Sequence, residues 1–184
     1  MIADKDRSGW FGASDTDRVI GNTKTKTFRN WWMEKLGLRK NTFTNKALVA
    51  GTYYEHPILD ALGFPVEKDK QILLEDLHLR VNLDGNTDDT IYEVKTYKLE
   101  NGFHVPLKYK RQVWVQMFAT GLRKAFIVSY GLTEADYKNL FRPIDKSRLQ
   151  LHPVEYNEQF IMETYLPRLR YLNDCLTKGV FPKV

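Results

Sequence analysis

The stretch DGNTDDTIYEVKTYK, residues 84–98, combines a turn signal with a strand pattern. Its opening Asp-Gly pair is typical of a β-hairpin turn, and its second half is rich in β-branched and aromatic residues. Glu93 and Lys95 stand two positions apart, so on a strand they project from the same face. If the hairpin forms, Asp84 lies beside Glu93 at one end of the sheet. Two carboxylates and an ammonium group then converge on one point.

Such a convergence suits a hard divalent cation. Mg²⁺ is typically held by one or two carboxylates together with water and substrate phosphate. The backbone carbonyl of Val94 would supply a further oxygen, and Lys95 would orient an attacking water or stabilise charge that develops on phosphorus. The alternative is a solvated hairpin, because Asp-Gly turns are common and a Glu-x-Lys pair also arises by chance. The stretch alone leaves both interpretations open.

The flanking patterns predict an α/β protein with a small sheet covered by helices. Pro57 lies inside a predicted helix, so a kink or a break is expected there, and Pro153 favours an edge position for its strand. Helices are predicted over residues 14–21, 26–38, 44–63, 106–121 and 155–178, and the last of them carries an apolar stripe. Strands are predicted in three regions: two or three antiparallel strands over 70–98, a buried strand over 124–131 and an edge strand over 149–156.

The predicted helices before and after residues 84–98 carry further polar side chains that could belong to the same site. Glu55 stands among apolar and aromatic residues, and a partly buried acid generally needs a partner. Gln112 and Gln116 share a helix face with Tyr109. Amides on that face would hold a nucleophilic water if they point at a site; otherwise they form a polar stripe on a half-exposed helix.

Two further features concern binding to nucleic acid. Arg7 precedes Ser14 at the start of a predicted helix, where a phosphate would meet free N–H groups; a capping serine and a surface arginine are the alternative. Trp31 and Trp32 either belong to the core or stack on a DNA strand. Basic residues cluster in two places, which favours phosphate binding or a solvated face: Lys24, Lys26, Arg29, Lys35, Arg39, Lys40 and Lys46, and then Lys108, Lys110 and Arg111.

The composition indicates a globular protein in a reducing compartment. The 184 residues are 42% hydrophobic and 28% charged, with a net charge of +5, and no apolar run is long enough for a membrane span or a signal peptide. Cys175 is the only cysteine, which excludes an internal disulfide and a thiolate metal cluster. The four histidines, His56, His78, His104 and His152, lack zinc-ligand spacing and are predicted to bind no metal. A P-loop motif is absent from the sequence.

Five segments in order resemble the motifs of one nuclease family. RSGWFGASD, GTYYE, NLDG, YEVK and YKRQVWVQM, between residues 7 and 117, are similar to those of the YqaJ-type viral recombinases and phage lambda exonuclease-type nucleases in the PD-(D/E)xK superfamily. Leu83 stands where the superfamily name has proline, a position that varies. The resemblance implies a restriction-endonuclease-like core, with a small mixed β-sheet flanked by helices, as a single nuclease domain over residues 1–184.

The resemblance also implies roles for individual residues. Asp84 and Glu93 would bind the metal together with the Val94 carbonyl, and Glu55 would complete the metal site directly or through water. Lys95 would be the catalytic lysine. Of the other matched residues, Gln112 would position the nucleophilic water with support from Tyr109, and Arg7 and Ser14 would bind the 5′-phosphate of a DNA end.

Members of this family degrade double-stranded DNA from the 5′ end with Mg²⁺ and leave a 3′ overhang for a single-strand annealing partner. The expectation is therefore a phage-type recombination exonuclease in the cytoplasm of a bacterial host; Mn²⁺ also fits such a site. Relatives can form a trimeric ring, so a homo-oligomer is a further implication. The alternatives are an endonuclease of the same superfamily and a non-catalytic module that binds DNA ends.

Overall fold

The computed structural model describes residues 6–183, in which helices flank one mixed sheet of five strands. The helices are α1 (Thr16–Val19), α2 (Lys26–Lys35), α3 (Lys46–Asp60), α4 (Leu107–Thr120), α5 (Glu134–Lys138) and α6 (Leu166–Lys178). The strands are β1 (Glu67–Leu74), β2 (Leu79–Asn86), β3 (Thr90–Lys98), β4 (Lys124–Leu132) and β5 (Leu149–Pro153). No helix within residues 6–183 is long and apolar enough to cross a membrane.

The sheet has the order β1-β2-β3-β4-β5 and contains both kinds of strand pairing. β1 pairs with β2, β2 with β3 and β4 with β5 in antiparallel fashion, whereas β3 and β4 are parallel. A parallel pair needs a crossover connection, and α4 supplies it. The predicted antiparallel strands, the central strand β4 and the edge strand β5 are confirmed, and so is the α/β fold class.

Two apolar clusters lie on opposite faces of β3. Ile91 packs with α2 and α4 in the first cluster, whereas Tyr92 and Val94 pack with α3 in the second. Trp31 and Trp32 belong to the first cluster, with exposed fractions of 3% and 0%. Both tryptophans are therefore core residues, and the alternative in which one of them stacks on DNA is wrong.

α3 is a single helix that runs through Pro57. The side chain of Asn45 caps its first turn by accepting from the N–H of Leu48. The predicted break does not occur, because Pro57 lies in the last turn and removes only the hydrogen bond to the carbonyl of Tyr53. The fully buried Tyr54 and Ile58 hold the helix against the sheet.

The C-terminal helical segment begins later than residue 155. Residues 155–157 are not helical, and Phe160–Tyr165 form a π-helical turn before α6. Pro167 accounts for the wider turn, because it lacks an N–H group and its ring crowds the carbonyl of Glu163. The predicted apolar stripe is confirmed: Ile161, Tyr165, Leu169 and Leu172 are buried, and Leu176 packs against them.

A buried ion pair joins α2 to the segment that precedes α1. The ammonium of Lys35 lies 2.7 Å from Asp15 Oδ2, with the two side chains 2% and 7% exposed. Lys35 also donates to the carbonyls of Arg7 and Trp10, at 3.3 and 2.8 Å, and Asp15 accepts from the N–H of Gly12 at 2.8 Å. Lys35 is therefore not part of a solvated basic surface. It fixes the course of residues 7–15.

Replacement of Lys35 by methionine should destabilise the protein strongly. The substitution leaves Asp15 as an uncompensated buried charge, which costs about 3–5 kcal/mol in free energy of unfolding. Urea denaturation at neutral pH measures this loss. The exposed Lys24→Met serves as the matched control and should change stability by less than about 0.5 kcal/mol. Equal stability of the Lys35 variant and the wild type would contradict the assignment.

Candidate active site

The strands β2 and β3 separate at Asp84. They are paired next to the turn, as far as Gly85 and Tyr92. One step further, the same register would pair Asp84 with Glu93, but the main-chain pairing stops before it. Instead, Asp84 Oδ2 accepts a hydrogen bond from the N–H of Val94 at 2.8 Å. The carboxylate thereby replaces a main-chain partner and is held in the gap between the strands.

Glu93 is the side chain on which the surrounding polar groups converge. It is 3% exposed. Its Oε1 accepts from Lys95 Nζ at 2.8 Å and from Gln112 Nε2 at 2.6 Å, and its Oε2 accepts from Gln116 Nε2 at 2.7 Å. β3 supplies the carboxylate and the ammonium, and α4 supplies both amides. The predicted proximity of Glu93, Lys95 and Gln112 is thus present in the structure.

Lys95 is held in its charged form. Its ammonium also donates to Gln112 Oε1 at 3.1 Å and lies 4.6 Å from the ring centroid of Tyr109. Burial opposes the charge, but the negative charge of Glu93 outweighs it, and the pKa of Lys95 is raised. A lysine that stays protonated can stabilise negative charge or orient a water, but it cannot accept a proton.

Three carboxyl groups at the gap repel one another. Burial, and then the charges of Glu93 and Asp69, raise the pKa of Glu55 to about 7. Burial, and then the charges of Glu93 and Glu55, raise the pKa of Asp84 well above its usual range. A divalent cation would relieve this repulsion, and carboxylate oxygens are the ligands that Mg²⁺ and Mn²⁺ prefer. The chemistry of these carboxylates fits the predicted metal, but Glu55, Asp84 and Glu93 do not form a trio whose ligand atoms all lie within 4.8 Å of one another.

Glu55 also belongs to a second set of ligand atoms. Glu55, His56 and Asp69 offer atoms that all lie within 4.8 Å of one another, and no other trio of His, Cys, Asp or Glu in residues 6–183 meets that distance. His56 Nε2 lies 2.9 Å from Asp69 Oδ2. The sequence indicates no such contact, because the two residues lie on α3 and β1. That His56 binds no metal stays a prediction.

One cavity is lined both by Asp84 and by the predicted phosphate-binding residues. Its volume is about 180 Å³, and its lining includes Arg7 and Ser14 as well as Asp84 and Gln112. Arg80 and Asn82 also line it; with Asp84 they are alternate residues of β2. Arg7 and Ser14 are exposed, so their side chains are accessible to a ligand.

Some residues at this site lie outside the sequence prediction. Gln116 belongs to the predicted polar helix face, but only its spacing from Gln112 hints at its contact with Glu93. Arg80 and Asn82 alternate with Asp84 along β2, and this period of two is the signal in the sequence that places them beside it. Lys35 has no local signal at all, because its partners lie far from it along the chain.

Solved exonuclease structures share this architecture. The alkaline exonuclease LHK-Exo from Laribacter hongkongensis, in its complex with dAMP, matches with a TM-score of 0.72 and 21% sequence identity over 94% of this chain and 90% of its own. A phage-related exonuclease from Haemophilus somnus matches with a TM-score of 0.66 and 12% identity over 92% of each chain. The chain has the fold of these exonucleases.

This likeness confirms the restriction-endonuclease-like core that the sequence resemblance implies. No protein-family model matches the chain, and no curated protein does. At these identities the structural likeness shows the fold, so the activity has to be argued from the site itself.

The raised pKa values predict how stability depends on pH in EDTA. A carboxyl group whose pKa is higher in the folded state stabilises the fold at low pH, and this contribution is lost as the pH rises through the folded-state pKa. For Glu55 the free energy of unfolding should fall as the pH rises from 4.5 to about 7. Glu55→Gln should flatten the fall, because an amide does not ionise. Denaturant titrations across this range measure the effect.

The exposed Glu158→Gln is the control for this experiment and should keep the wild-type pH dependence. When EDTA is replaced by Mn²⁺, the wild type should be stabilised more at the alkaline end of the range than at the acidic end, because the cation binds the ionised carboxylates. An unchanged slope in the Glu55 variant would show that Glu55 does not titrate in this window.

Proposed function

We propose that the protein is a metal-dependent deoxyribonuclease that degrades linear double-stranded DNA from its 5′ ends. One observation carries the proposal: a single cavity is lined by Arg7 and Ser14 and also by Asp84 and Gln112. A cationic side chain and a hydroxyl suit a terminal phosphate. The carboxylate and the amide suit the metal and the water that act on the next phosphodiester.

Each polar group at the gap has a part in phosphodiester hydrolysis. A divalent cation held by Asp84, Glu93 and the Val94 carbonyl would polarise the scissile phosphate and lower the pKa of a bound water. The protonated Lys95 stabilises the negative charge that grows on the phosphate oxygens. Gln112, hydrogen-bonded to Lys95 and Glu93, positions the nucleophilic water.

Two neighbouring residues support this set. Glu55 completes the metal site directly or through a water, since its charge acts on Asp84. The Tyr109 ring lies beside the ammonium of Lys95 and limits where it can move. Both Mg²⁺ and Mn²⁺ are consistent with oxygen ligands of this kind.

The proposed 5′→3′ direction rests on the phosphate-binding role proposed for Arg7 and Ser14. If Arg7 and Ser14 hold the 5′-phosphate within the cavity that Asp84 lines, the bond at the carboxylates is the one next to that end. Cleavage then releases a mononucleotide and exposes a new 5′-phosphate for the next cycle. LHK-Exo, which has the same fold, holds dAMP in its structure, which is in keeping with such a product.

The biological setting is proposed from the resemblance of the sequence motifs to those of the viral recombination nucleases. The chain would act as a single nuclease domain in phage-type recombination, in the cytoplasm of a bacterial host. Its product would be a 3′ overhang, which a single-strand annealing protein could bind. Assembly into a trimeric ring around DNA would make digestion processive.

Two alternatives differ in testable ways. An endonuclease of the same fold needs the metal site but no end-binding pocket, so it would cut covalently closed circular DNA. A non-catalytic module that binds DNA ends needs neither Lys95 nor a complete carboxylate set, yet the chain retains both. Incubation of 5′-phosphorylated linear duplex and of closed circles, each with Mg²⁺ or EDTA, separates the three. The exonuclease is supported if the linear duplex is cleaved and the closed circle is not, and if cleavage occurs with Mg²⁺ but not with EDTA.

Lys95→Ala should abolish cleavage and spare DNA binding. Loss of a donor that stabilises transition-state charge lowers the rate by about 100-fold or more. Cleavage is measured on labelled linear duplex with Mg²⁺, and binding by gel shift in EDTA. Lys98→Ala, on the same strand but more exposed, is the control and should keep the wild-type rate. Full activity in the Lys95 variant would overturn its catalytic role.

Arg7→Ala should remove the preference for phosphorylated ends. Hydrogen bonds to a charged group are worth about 1.5–3 kcal/mol, which corresponds to a roughly 10- to 100-fold loss in affinity. The loss is expected for 5′-phosphorylated duplex and not for 5′-hydroxyl duplex, as measured by the KM for each. The exposed Arg18→Ala is the control. Equal losses on both substrates would mean that Arg7 binds DNA without recognising its end.

A further inference from the structure

Gln116 is a fully buried amide in contact with Glu93. Its side chain is 0% exposed, and its Nε2 donates to Glu93 Oε2 at 2.7 Å. It lies one helical turn beyond Gln112 on α4, so both amides reach the same carboxylate from the same face. Unlike Gln112, Gln116 does not line the cavity that contains Asp84.

The orientation of this amide is determined by the carboxylate. If the nitrogen and oxygen of the amide were exchanged, Gln116 Oε1 would face Glu93 Oε2, and two acceptors would repel each other. In the orientation observed, Gln116 Oε1 is buried and has no hydrogen-bond partner among the described residues. An unsatisfied buried acceptor is costly, so packing alone would favour an apolar residue here. The hydrogen bond that Gln116 donates to Glu93 is the interaction that offsets this cost.

The hydrogen bonds to Glu93 leave room for one more ligand. An ionised carboxylate has about four acceptor positions. Lys95 and Gln112 occupy two on Oε1, and Gln116 occupies one on Oε2. Among residues 6–183, Gln116 is the donor that holds Oε2, so without it the carboxylate would be restrained only through Oε1.

We propose that Gln116 is a positioning residue that holds Glu93 as a cation ligand. The inference rests on the proposed metal-dependent function and adds a residue to it. Gln116 touches neither substrate nor metal; it restrains Oε2 so that its remaining acceptor position stays directed at the gap between β2 and β3. Outer groups of this kind commonly change metal affinity by about 10- to 100-fold when they are removed.

The test is the affinity of the DNA-free protein for Mn²⁺, measured by calorimetry. Gln116→Met keeps the side-chain length, removes the donor and also removes the unpaired oxygen. Its Mn²⁺ affinity should fall by about 10- to 100-fold. The Mn²⁺ concentration for half-maximal cleavage should rise by a similar factor, while the cleavage rate at saturating Mn²⁺ and DNA binding in EDTA stay near wild type.

A purely structural role would give a different pattern. Val113→Ala, also fully buried on α4, is the matched control and should lower stability without changing Mn²⁺ affinity. Wild-type Mn²⁺ affinity in a folded Gln116→Met protein would overturn the inference, and so would failure of the wild-type protein to bind Mn²⁺. Mn²⁺ binding with the expected loss in the variant, but no DNA cleavage by the wild type, would overturn the proposed function alone.

The wild-type protein provides a second measurement if the variant does not fold. The side-chain amide protons of Gln116 should be protected from solvent exchange in NMR spectra, and their signals should shift when Mg²⁺ is added, because their acceptor is a ligand of the cation. Rapid exchange, or signals that do not respond to Mg²⁺, would overturn the inference.

Discussion

The separation of β2 from β3 is the constraint on which the candidate site depends. Had the two strands stayed paired beyond Gly85, the N–H of Val94 would bond to a main-chain carbonyl and the carboxylate of Asp84 would have no place in the gap. Because Asp84 accepts that hydrogen bond itself, the main-chain pairing of β2 with β3 ends at Gly85, directly beside the candidate site. Residues from β3, α3 and α4 can then meet at one opening in the sheet.

The opening is stable because its charged groups are paired and hydrogen-bonded. Glu93 is nearly inaccessible to solvent, and an isolated carboxylate there would be costly. An ammonium and two amides satisfy it, all from elements that pack on the first apolar cluster. Burial and the neighbouring carboxylates raise the pKa values of Glu55 and Asp84, and the charge of Lys95 only partly offsets this effect. The unbalanced negative charge is what a divalent cation would neutralise.

The second buried pair, Lys35 with Asp15, serves the other half of the cavity. The pair is separate from the carboxylates of Asp84 and Glu93, yet it holds the backbone that carries Arg7 and Ser14. A segment with little regular structure of its own would otherwise be poorly placed to line the same cavity as Asp84. Fold and proposed function are thus linked through a lysine that has no role in the chemistry.

Local patterns in the sequence were sufficient for most of the secondary structure, but not for the short helix α5, and they suggested several residues of the candidate site. The β-branched and aromatic residues of 90–98 indicated β3, and the Glu-x-Lys spacing placed Glu93 and Lys95 on one face, because a strand has a period of two. The predicted ranges of α2, α3 and α4 agree with the structure to within a few positions. The break predicted as one alternative at Pro57 is absent, and the last helix begins later than predicted, because the cost of a proline depends on which carbonyl it faces.

Only the tertiary structure decided which groups meet across elements. The contact of Gln116 with Glu93, the approach of His56 to Asp69 and the burial of Lys35 join residues on separate elements, and no periodicity encodes them. The same holds for the cavity that brings Arg7 to Asp84. By itself the sequence determined the elements and the chemistry each one carries. Their convergence depends on how the strands diverge and the helices pack, which is a property of the whole fold.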